Sequence, residues 1–218
     1  MKALTDPALF GIVIYEGVEP IDIGGTVGVI SMARRVLQNV RAITIALQAG
    51  PVLLAGGLTV VADVGFADAP ACDQLIVTGG PGWRTQVESP AMLGFLKARA
   101  AAEVASVCTG AMILGAAGLL DNRLATTRRH AVGAEAAAPL AELQRLAPAS
   151  RQVAAAIVED HGLVTGGGVS LAIDATLYLL GRIYGAEARQ AVAAVIEYDR
   201  AYQANETALG HLRVVAAP

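Results

Sequence analysis

The sequence has few of the residues that characterise several common classes of protein. Of its 218 residues, two are cysteines, three are histidines and 4% are aromatic. The histidines His130, His161 and His211 are scattered, and no group of Cys and His has the spacing of a zinc site, so we expect no metal. The cysteines Cys72 and Cys108 are too few for the disulfide framework of a small secreted domain.

Long hydrophobic runs and clusters of one charge are also scarce. The longest uncharged run, Val104 to Leu120, contains glycines and polar residues that favour a strand and a helix over a membrane span. The N-terminus lacks a secretion signal, so we expect a cytoplasmic protein without membrane association. The net charge is −3, and adjacent basic residues occur only at Arg34-Arg35 and Arg128-Arg129. We therefore expect no nucleic-acid partner.

The sequence is rich in apolar residues, which make up 55% and form short runs. Strand-like runs alternate with helix-like runs, which predicts an α/β fold whose mostly parallel sheet is covered by helices on both faces. We expect one domain over residues 1–218, with a weakly patterned, loosely held tail at 202–218. Two of the predicted helices are Thr26–Gln38 and Ala131–Leu146, the second broken or kinked at Pro139.

The segment from Val104 to Gly115 is the most informative part of the chain. A short β-branched strand leads into Cys108, and small residues then open an apolar helix. This arrangement places a thiol at a helix N-terminus, where the helix dipole favours the nucleophilic thiolate. A buried structural cysteine is the alternative interpretation.

Two other loops follow apolar strands and could complete a site. In the glycine-rich loop 78–82, the Gly80 N–H could act with the Thr109 N–H as two donors that stabilise an oxyanion. A phosphate-binding loop and a purely structural turn are the alternatives for this loop. In the first loop, Asp22 lies between two isoleucines and is expected to be partly buried, whereas Glu16 and Glu19 are expected to be solvated. A buried carboxyl beside a thiolate would retain its proton and could act as an acid.

His130 follows Cys108 by 22 residues, and it could either face the cysteine or begin the next helix. Together with the neighbouring Arg128 and with Trp83 after the glycine-rich loop, His130 could also control access of a substrate.

The motifs around these loops resemble those of the ThiJ/PfpI superfamily, and most of all those of its isonitrile hydratases. The segments that carry the resemblance are Val107–Ala111, Gly115–Leu120, Ala125–Thr127, Ile21–Ile23, Ile76–Gly82, Val164–Val169 and Ile196–Asp199. The chain departs from the usual pattern at Thr78, where proline is common, and at Arg128, where sensor domains of AraC-type regulators often have histidine.

The resemblance implies a three-layer α/β/α sandwich of the glutamine amidotransferase-like, flavodoxin-like kind, with a cysteine nucleophile elbow. It also implies Cys108 as the nucleophile, Asp22 as the acid/base and Thr109 as a site hydroxyl, hydrating an isonitrile to an N-substituted formamide without a cofactor. The alternatives are a glyoxalase or protein-repair activity on α-oxoaldehydes, and a non-enzymatic cysteine sensor of oxidants or ligands.

A homodimer is also expected, both from the resemblance and from an apolar stripe on the helix predicted over 186–198. The stripe comprises Ala188, Ala191, Val192, Val195 and Ile196. Packing of this stripe on the chain's own sheet is the alternative.

Overall fold

The computed structural model of this chain describes residues 1–214, in which the main element is a sheet of eight strands. A hairpin and a further pair of short strands lie outside that sheet. In chain order the strands are β1 (Ala8–Val13), β2 (Val40–Ala46), β3 (Gly50–Leu53), β4 (Thr59–Ala62), β5 (Val64–Gly65), β6 (Gln74–Val77), β7 (Val104–Ser106), β8 (Leu124–Ala125), β9 (Arg151–Gln152), β10 (Ile157–Asp160), β11 (Leu163–Gly166) and β12 (His211–Val214).

The large sheet has the strand order β12-β10-β11-β7-β6-β1-β2-β5. Neighbours from β11 to β5 are parallel, and β10 is antiparallel to β11 and parallel to β12. All residues of β6 and β7 are buried, as expected for strands covered on both faces. Because the parallel strands end at the same edge, the loops after β1, β6 and β7 meet there.

Helices form a layer on each side of this sheet. They are α1 (Pro20–Ile23), α2 (Val29–Ala33), α3 (Trp83–Gln86), α4 (Pro90–Lys97), α5 (Gly110–Ala116), α6 (Pro139–Leu146), α7 (Ala172–Tyr184), α8 (Ala186–Val195) and α9 (Asp199–Leu209). Helices α3, α4 and α6 pack against α5, whereas α2 and α8 pack against α7. The predicted α/β sandwich with a mostly parallel sheet is confirmed.

Three sequence-based expectations about local structure differ from what is observed. The first helical segment begins at Pro20 rather than Thr26, because a π-helical turn over Gly24–Gly28 joins α1 to α2 without a break. The helix expected over Ala131–Leu146 begins only at Pro139, whose fixed φ suits the first turn of a helix and not its interior. Residues 202–214, expected to be loosely held, form most of α9 and the edge strand β12; residues 215–218 of that predicted tail lie outside the described residues.

Most of the apolar stripe on α8 packs within the chain. Ala188 and Val192 are buried, and Ile196 packs against the hydrophobic core, which leaves only Ala191 exposed and Val195 half-buried. The stripe is therefore not a free seam for a partner helix. Within residues 1–214, the structure contains no helix with the length and hydrophobicity needed to cross a bilayer.

Candidate active site

Cys108 lies at a sharp bend between β7 and α5. Its φ angle is +50°, a left-handed conformation that is uncommon for a residue with a side chain and is typical of strained functional positions. The bend is held by the Cys108 N–H, which donates to the Gly167 carbonyl at 2.9 Å, and by Thr127 Oγ1, which donates to the Cys108 carbonyl at 2.6 Å. The bend also requires a glycine at position 110, since a Cβ there would lie 2.1 Å from the Val77 carbonyl oxygen.

Asp22 lies on α1 and is completely buried. Its Oδ2 accepts a 2.7 Å hydrogen bond from the Gly79 N–H, whereas its Oδ1 has no hydrogen-bond partner among the described residues. Burial raises the pKa of Asp22 to about 7, and the charge of Glu19 adds to this effect; the Gly79 hydrogen bond and the charge of Arg128 oppose it. A neutral carboxyl and a carboxylate are therefore both accessible near pH 7.

Gly79 lies between the acid and the cysteine and brings them together. Besides its bond to Asp22, its backbone is so close to the elbow that a Cβ would lie 2.8 Å from Cys108 Cβ and 2.4 Å from the Thr109 nitrogen. The Asp22 charge acts directly on the cysteine, whose pKa it raises. Burial raises the pKa of Tyr15 as well, and the charges of Asp22 and Cys108 add to this effect.

The thiol of Cys108 is more weakly acidic than the sequence predicts. Burial, followed by the charge of Asp22, raises its pKa to about 12 and outweighs the stabilising backbone N–H groups of Val169 and Thr109. The effect of the helix N-terminus, expected to favour the thiolate, is therefore outweighed here by burial and by the charge of Asp22. Forming the thiolate requires a nearby base, and Asp22 is the buried carboxyl group whose charge acts on the thiol.

The two predicted oxyanion donors differ in their surroundings. The N–H of Gly80 donates to Thr109 Oγ1 at 2.8 Å, so it is engaged by the side chain next to the cysteine instead of being free. The N–H of Thr109 points to the sulfur, as does that of Val169. Val169 is therefore the second backbone donor at the sulfur, beside Thr109. The local sequence does not mark Val169 as a donor, because it comes from a distant glycine-rich turn whose position depends on the pairing of β11 with β7.

The elbow opens into a cavity of about 460 Å³. Cys108 is 3% exposed and lines it together with Thr109, and Trp83 is buried in its wall. The cavity is lined by Glu19, Gly80, Pro81, Trp83, Cys108, Thr109, Arg128, Val132, Glu135 and Val169. Trp83 and Arg128, which were expected to control access of a substrate, both line this cavity. Glu19, expected to be solvated, is half-buried in the wall.

His130 does not line the cavity that contains Cys108. Its side chain is exposed and lines a second cavity, of about 320 Å³, next to the first. Arg128 lies in the wall that the two cavities share, where its guanidinium donates to the His130 carbonyl and forms an ion pair with Glu135. The structure therefore does not bring His130 and Cys108 together as a catalytic pair.

Groups of three or more side chains able to hold a metal ion are absent from the described part of the chain. The free Cys72 is half-buried and lines neither cavity. The chemistry available at the elbow is therefore that of a thiol, a carboxyl and backbone N–H groups.

The Gly79→Ala variant is expected to lose activity and stability. Its Cβ would overlap the Thr109 backbone and Cys108 Cβ, and overpacking of this kind typically costs about 1–3 kcal/mol. Gly94→Ala in α4 is the matched control, because a Cβ there meets nothing within 4 Å and alanine favours a helix by about 0.5–1 kcal/mol. Thermal unfolding of both variants tests this; an unchanged Gly79→Ala protein would contradict the close packing at the elbow.

Comparison with known proteins places the chain in a family. The sequence profile of the DJ-1/PfpI family matches residues 10–182. The chain is 31% identical over 190 residues to an isonitrile hydratase from Pseudomonas putida, and the alignment covers 86% of this chain and 77% of that enzyme. It is 28% identical over 199 residues to the HTH-type transcriptional regulator GbdR of Pseudomonas aeruginosa, which covers 89% of this chain but only 52% of the regulator.

Solved structures show the same fold. A ThiJ/PfpI family protein from Pseudomonas syringae superposes with a TM-score of 0.76 at 24% identity, covering 90% of this chain and 77% of the other. DJ-1beta of Drosophila melanogaster superposes with a TM-score of 0.73 at 16% identity, covering 88% and 98%. Because the family profile spans most of the sequence and the alignment with the P. putida enzyme exceeds 30% identity over more than two thirds of both proteins, this chain belongs to the DJ-1/PfpI family.

Proposed function

We propose that this protein hydrates isonitriles to N-substituted formamides, with Cys108 as the nucleophile and Asp22 as the acid and base. The observation that carries the proposal is the buried pair itself. Asp22 has one carboxyl oxygen bound by Gly79 and the other without a partner among residues 1–214, and its charge acts on a cysteine that lines a cavity. The similarity to the P. putida isonitrile hydratase supports the choice of substrate class.

In the first step the pair supplies one proton and one nucleophile. With a pKa of about 7 for Asp22 and about 12 for Cys108, the pair holds one proton between these values. The Asp22 carboxylate takes the thiol proton and transfers it to the terminal isonitrile carbon, while the sulfur forms a bond to that carbon. The product is a thioimidate, R–N=CH–S–Cys, and Asp22 is again a carboxylate.

In the second step the same carboxylate activates water. Water adds to the thioimidate carbon, and its proton passes through Asp22. The carbon–sulfur bond then breaks and the thiol recovers its proton, which leaves R–NH–CHO. The N–H groups of Thr109 and Val169, which face the sulfur, stabilise the departing thiolate. No step needs a metal or an organic cofactor.

A direct assay tests the proposal. Purified protein is incubated with an aryl isonitrile, an alkyl isonitrile and methylglyoxal in separate reactions, and formamide or lactate is measured. We expect formamide from at least one isonitrile at a rate far above that without protein. Lactate without formamide would instead favour activity on α-oxoaldehydes. The absence of both products would reject hydration.

The second candidate is a ligand sensor without turnover. The alignment with GbdR, a transcriptional regulator, over 89% of this chain favours it. It predicts that small electrophiles or other ligands bind beside Cys108 and are recovered unchanged. Redox sensing has less support, since a nearly buried thiol with a raised pKa is a poor target for peroxide.

A homodimer, one domain over the whole chain and a cytoplasmic location remain parts of the proposal. The surface that favours a dimer is the β3–β4 hairpin rather than α8, because Leu53, Leu58 and Val61 of the hairpin are all more than half exposed. Sedimentation equilibrium is expected to give twice the chain mass, and a Val61→Glu variant is expected to shift it toward the monomer. A wild-type protein that sediments as a monomer would contradict the dimer.

A further inference from the structure

The cavity next to the catalytic one has a distinct chemical character. It is lined by Arg128, Arg129 and His130, together with polar and apolar residues, and no aspartate or glutamate is in its lining as far as residues 1–214 are concerned. A cavity with two arginines and no carboxylate favours an anion over a cation or a neutral group.

The two cavities meet along a shared wall. Arg128, Val132 and Val169 line both of them, so a molecule held at Cys108 in the first cavity has the second cavity as its neighbour. The stem of Arg128 packs over Gly168, where a Cβ would lie 3.0 Å from Arg128 Cγ. This packing fixes the wall next to Val169, the residue whose N–H faces the sulfur.

The two arginines differ in whether their charge is already balanced. The guanidinium of Arg128 is largely buried and is neutralised by its ion pair with Glu135, whose other oxygen accepts from the Val132 N–H. Arg129 is exposed and has neither a hydrogen bond nor an ion pair with any other described residue. Arg129 therefore provides the uncompensated positive charge at this cavity.

We propose that the second cavity binds an anionic group, such as a carboxylate, on the side group of the substrate, and that Arg129 selects for it. This inference rests on the proposed function for the identity of the reacting end, because it assigns the isonitrile to Cys108. The preferred substrate class is then an isonitrile whose side group ends in an anion, and neutral isonitriles of the same shape are poorer substrates.

The first experiment compares 4-isocyanobenzoate with 4-isocyanobenzamide, which have similar shapes and differ in charge. We expect the wild-type kcat/KM to favour the benzoate by about five- to tenfold, as for a partly exposed charge-assisted contact. The preference should lie mainly in KM, since the contact is equal in the ground state and the transition state. It should shrink at about 1 M salt, where the Debye length is about 3 Å.

Variants assign the preference to Arg129. Arg129→Gln is expected to reduce the benzoate-to-benzamide ratio to about one, and Arg129→Lys to retain part of it. Arg35→Gln is the matched control, because Arg35 is also exposed and unpaired within the described residues but lines neither cavity. It should leave the ratio unchanged. Equal wild-type rates for the two substrates, or an unchanged ratio in Arg129→Gln, would overturn the inference.

A second experiment works without turnover and separates this inference from the proposed function. The iodoacetamide derivatives of 4-aminobenzoate and 4-aminobenzamide alkylate a cysteine by forming a carbon–sulfur bond with loss of iodide and a proton. Mass spectrometry of the peptide that contains Cys108 gives the rate for each reagent. We expect faster labelling by the benzoate in the wild type and loss of this difference in Arg129→Gln.

The two experiments together distinguish the possible failures. A charge preference in alkylation without any formamide production would reject isonitrile hydration and retain the anion site. Formamide production without a charge preference in either experiment would reject the anion site and retain the hydration. The alkylation is run above pH 8, where Asp22 is a carboxylate able to take the thiol proton. Failure of both reagents to label Cys108 under that condition would overturn the inference, because the cavity would then not lead to the sulfur.

Discussion

The Cys108→Ala variant is expected to produce no formamide above the background without protein. The proposed reaction passes through a bond between the isonitrile carbon and this sulfur, and no other thiol lines the cavity in the described residues. The expected measurement is formamide production by the wild type and the variant at equal protein concentration. The alanine removes a nearly buried side chain from the strained elbow, so its fold should be checked by circular dichroism.

The chain supplies a matched control in its other cysteine. Cys72 lies beside Gly11 of β1 and is half-buried, and it lines neither of the cavities near the elbow. Cys72→Ala removes the same atom and should retain the wild-type rate. If Cys108→Ala folds and still hydrates an aryl isonitrile at close to the wild-type rate, the nucleophile has been assigned incorrectly.

The Asp22→Asn variant is expected to lower kcat/KM by about 10²–10⁴-fold, the usual contribution of a positioned acid or base. Asparagine can still accept the Gly79 hydrogen bond through its oxygen, so the variant removes the proton transfer and keeps the packing. Glu16→Gln is the control, because this exposed acid follows the same strand and its side chain accepts a hydrogen bond only from the Leu53 N–H among the described residues. Its rate should match the wild type.

The pH dependence gives a second test of Asp22. The reaction begins with an Asp22 carboxylate and a Cys108 thiol, so kcat/KM of the wild type should rise with pH through about 7 and then stay level well above pH 8. The rise should be absent in Asp22→Asn. A wild-type profile that falls with increasing pH over this range would show that the protonated carboxyl is the starting form.

As pH rises, the free energy of unfolding is expected to fall while the activity rises. Because burial raises the folded-state pKa of Asp22, the folded protein binds the proton more tightly than the unfolded chain, and stability falls as pH rises from about 4 to about 7. The difference between a pKa of 3.8 and one of about 7 corresponds to about 4 kcal/mol as an upper limit. At pH 8 the Asp22→Asn variant should therefore unfold at a higher denaturant concentration than the wild type. An equal or lower midpoint would contradict the cost of burying this charge.

Local residue patterns predict much of this protein. Alternating apolar runs predict the parallel sheet, since strands covered on both faces need apolar residues throughout. The small residues around Cys108 predict the elbow, since a Cβ at position 110 would lie only 2.1 Å from a carbonyl oxygen and glycine avoids this clash. The segment 202–214 departed from its local pattern for a reason outside the segment. The sequence at 202–214 lacks a strong period, but β12 is stabilised by pairing with β10, which lies some fifty residues earlier.

The sequence by itself determined the family and the class of fold, and it singled out Cys108 and Asp22 as the thiol and the acid of the proposed site, because these depend on residue types at short spacing along the chain. The tertiary structure alone decided the electrostatics of the site. Burial makes Asp22 a weak acid and Cys108 a weaker one, the pairing of β11 with β7 brings Val169 to the sulfur, and an ion pair with Glu135 neutralises Arg128 but not Arg129. These properties depend on how much water and charge surround each group, and only the packing of distant segments sets that.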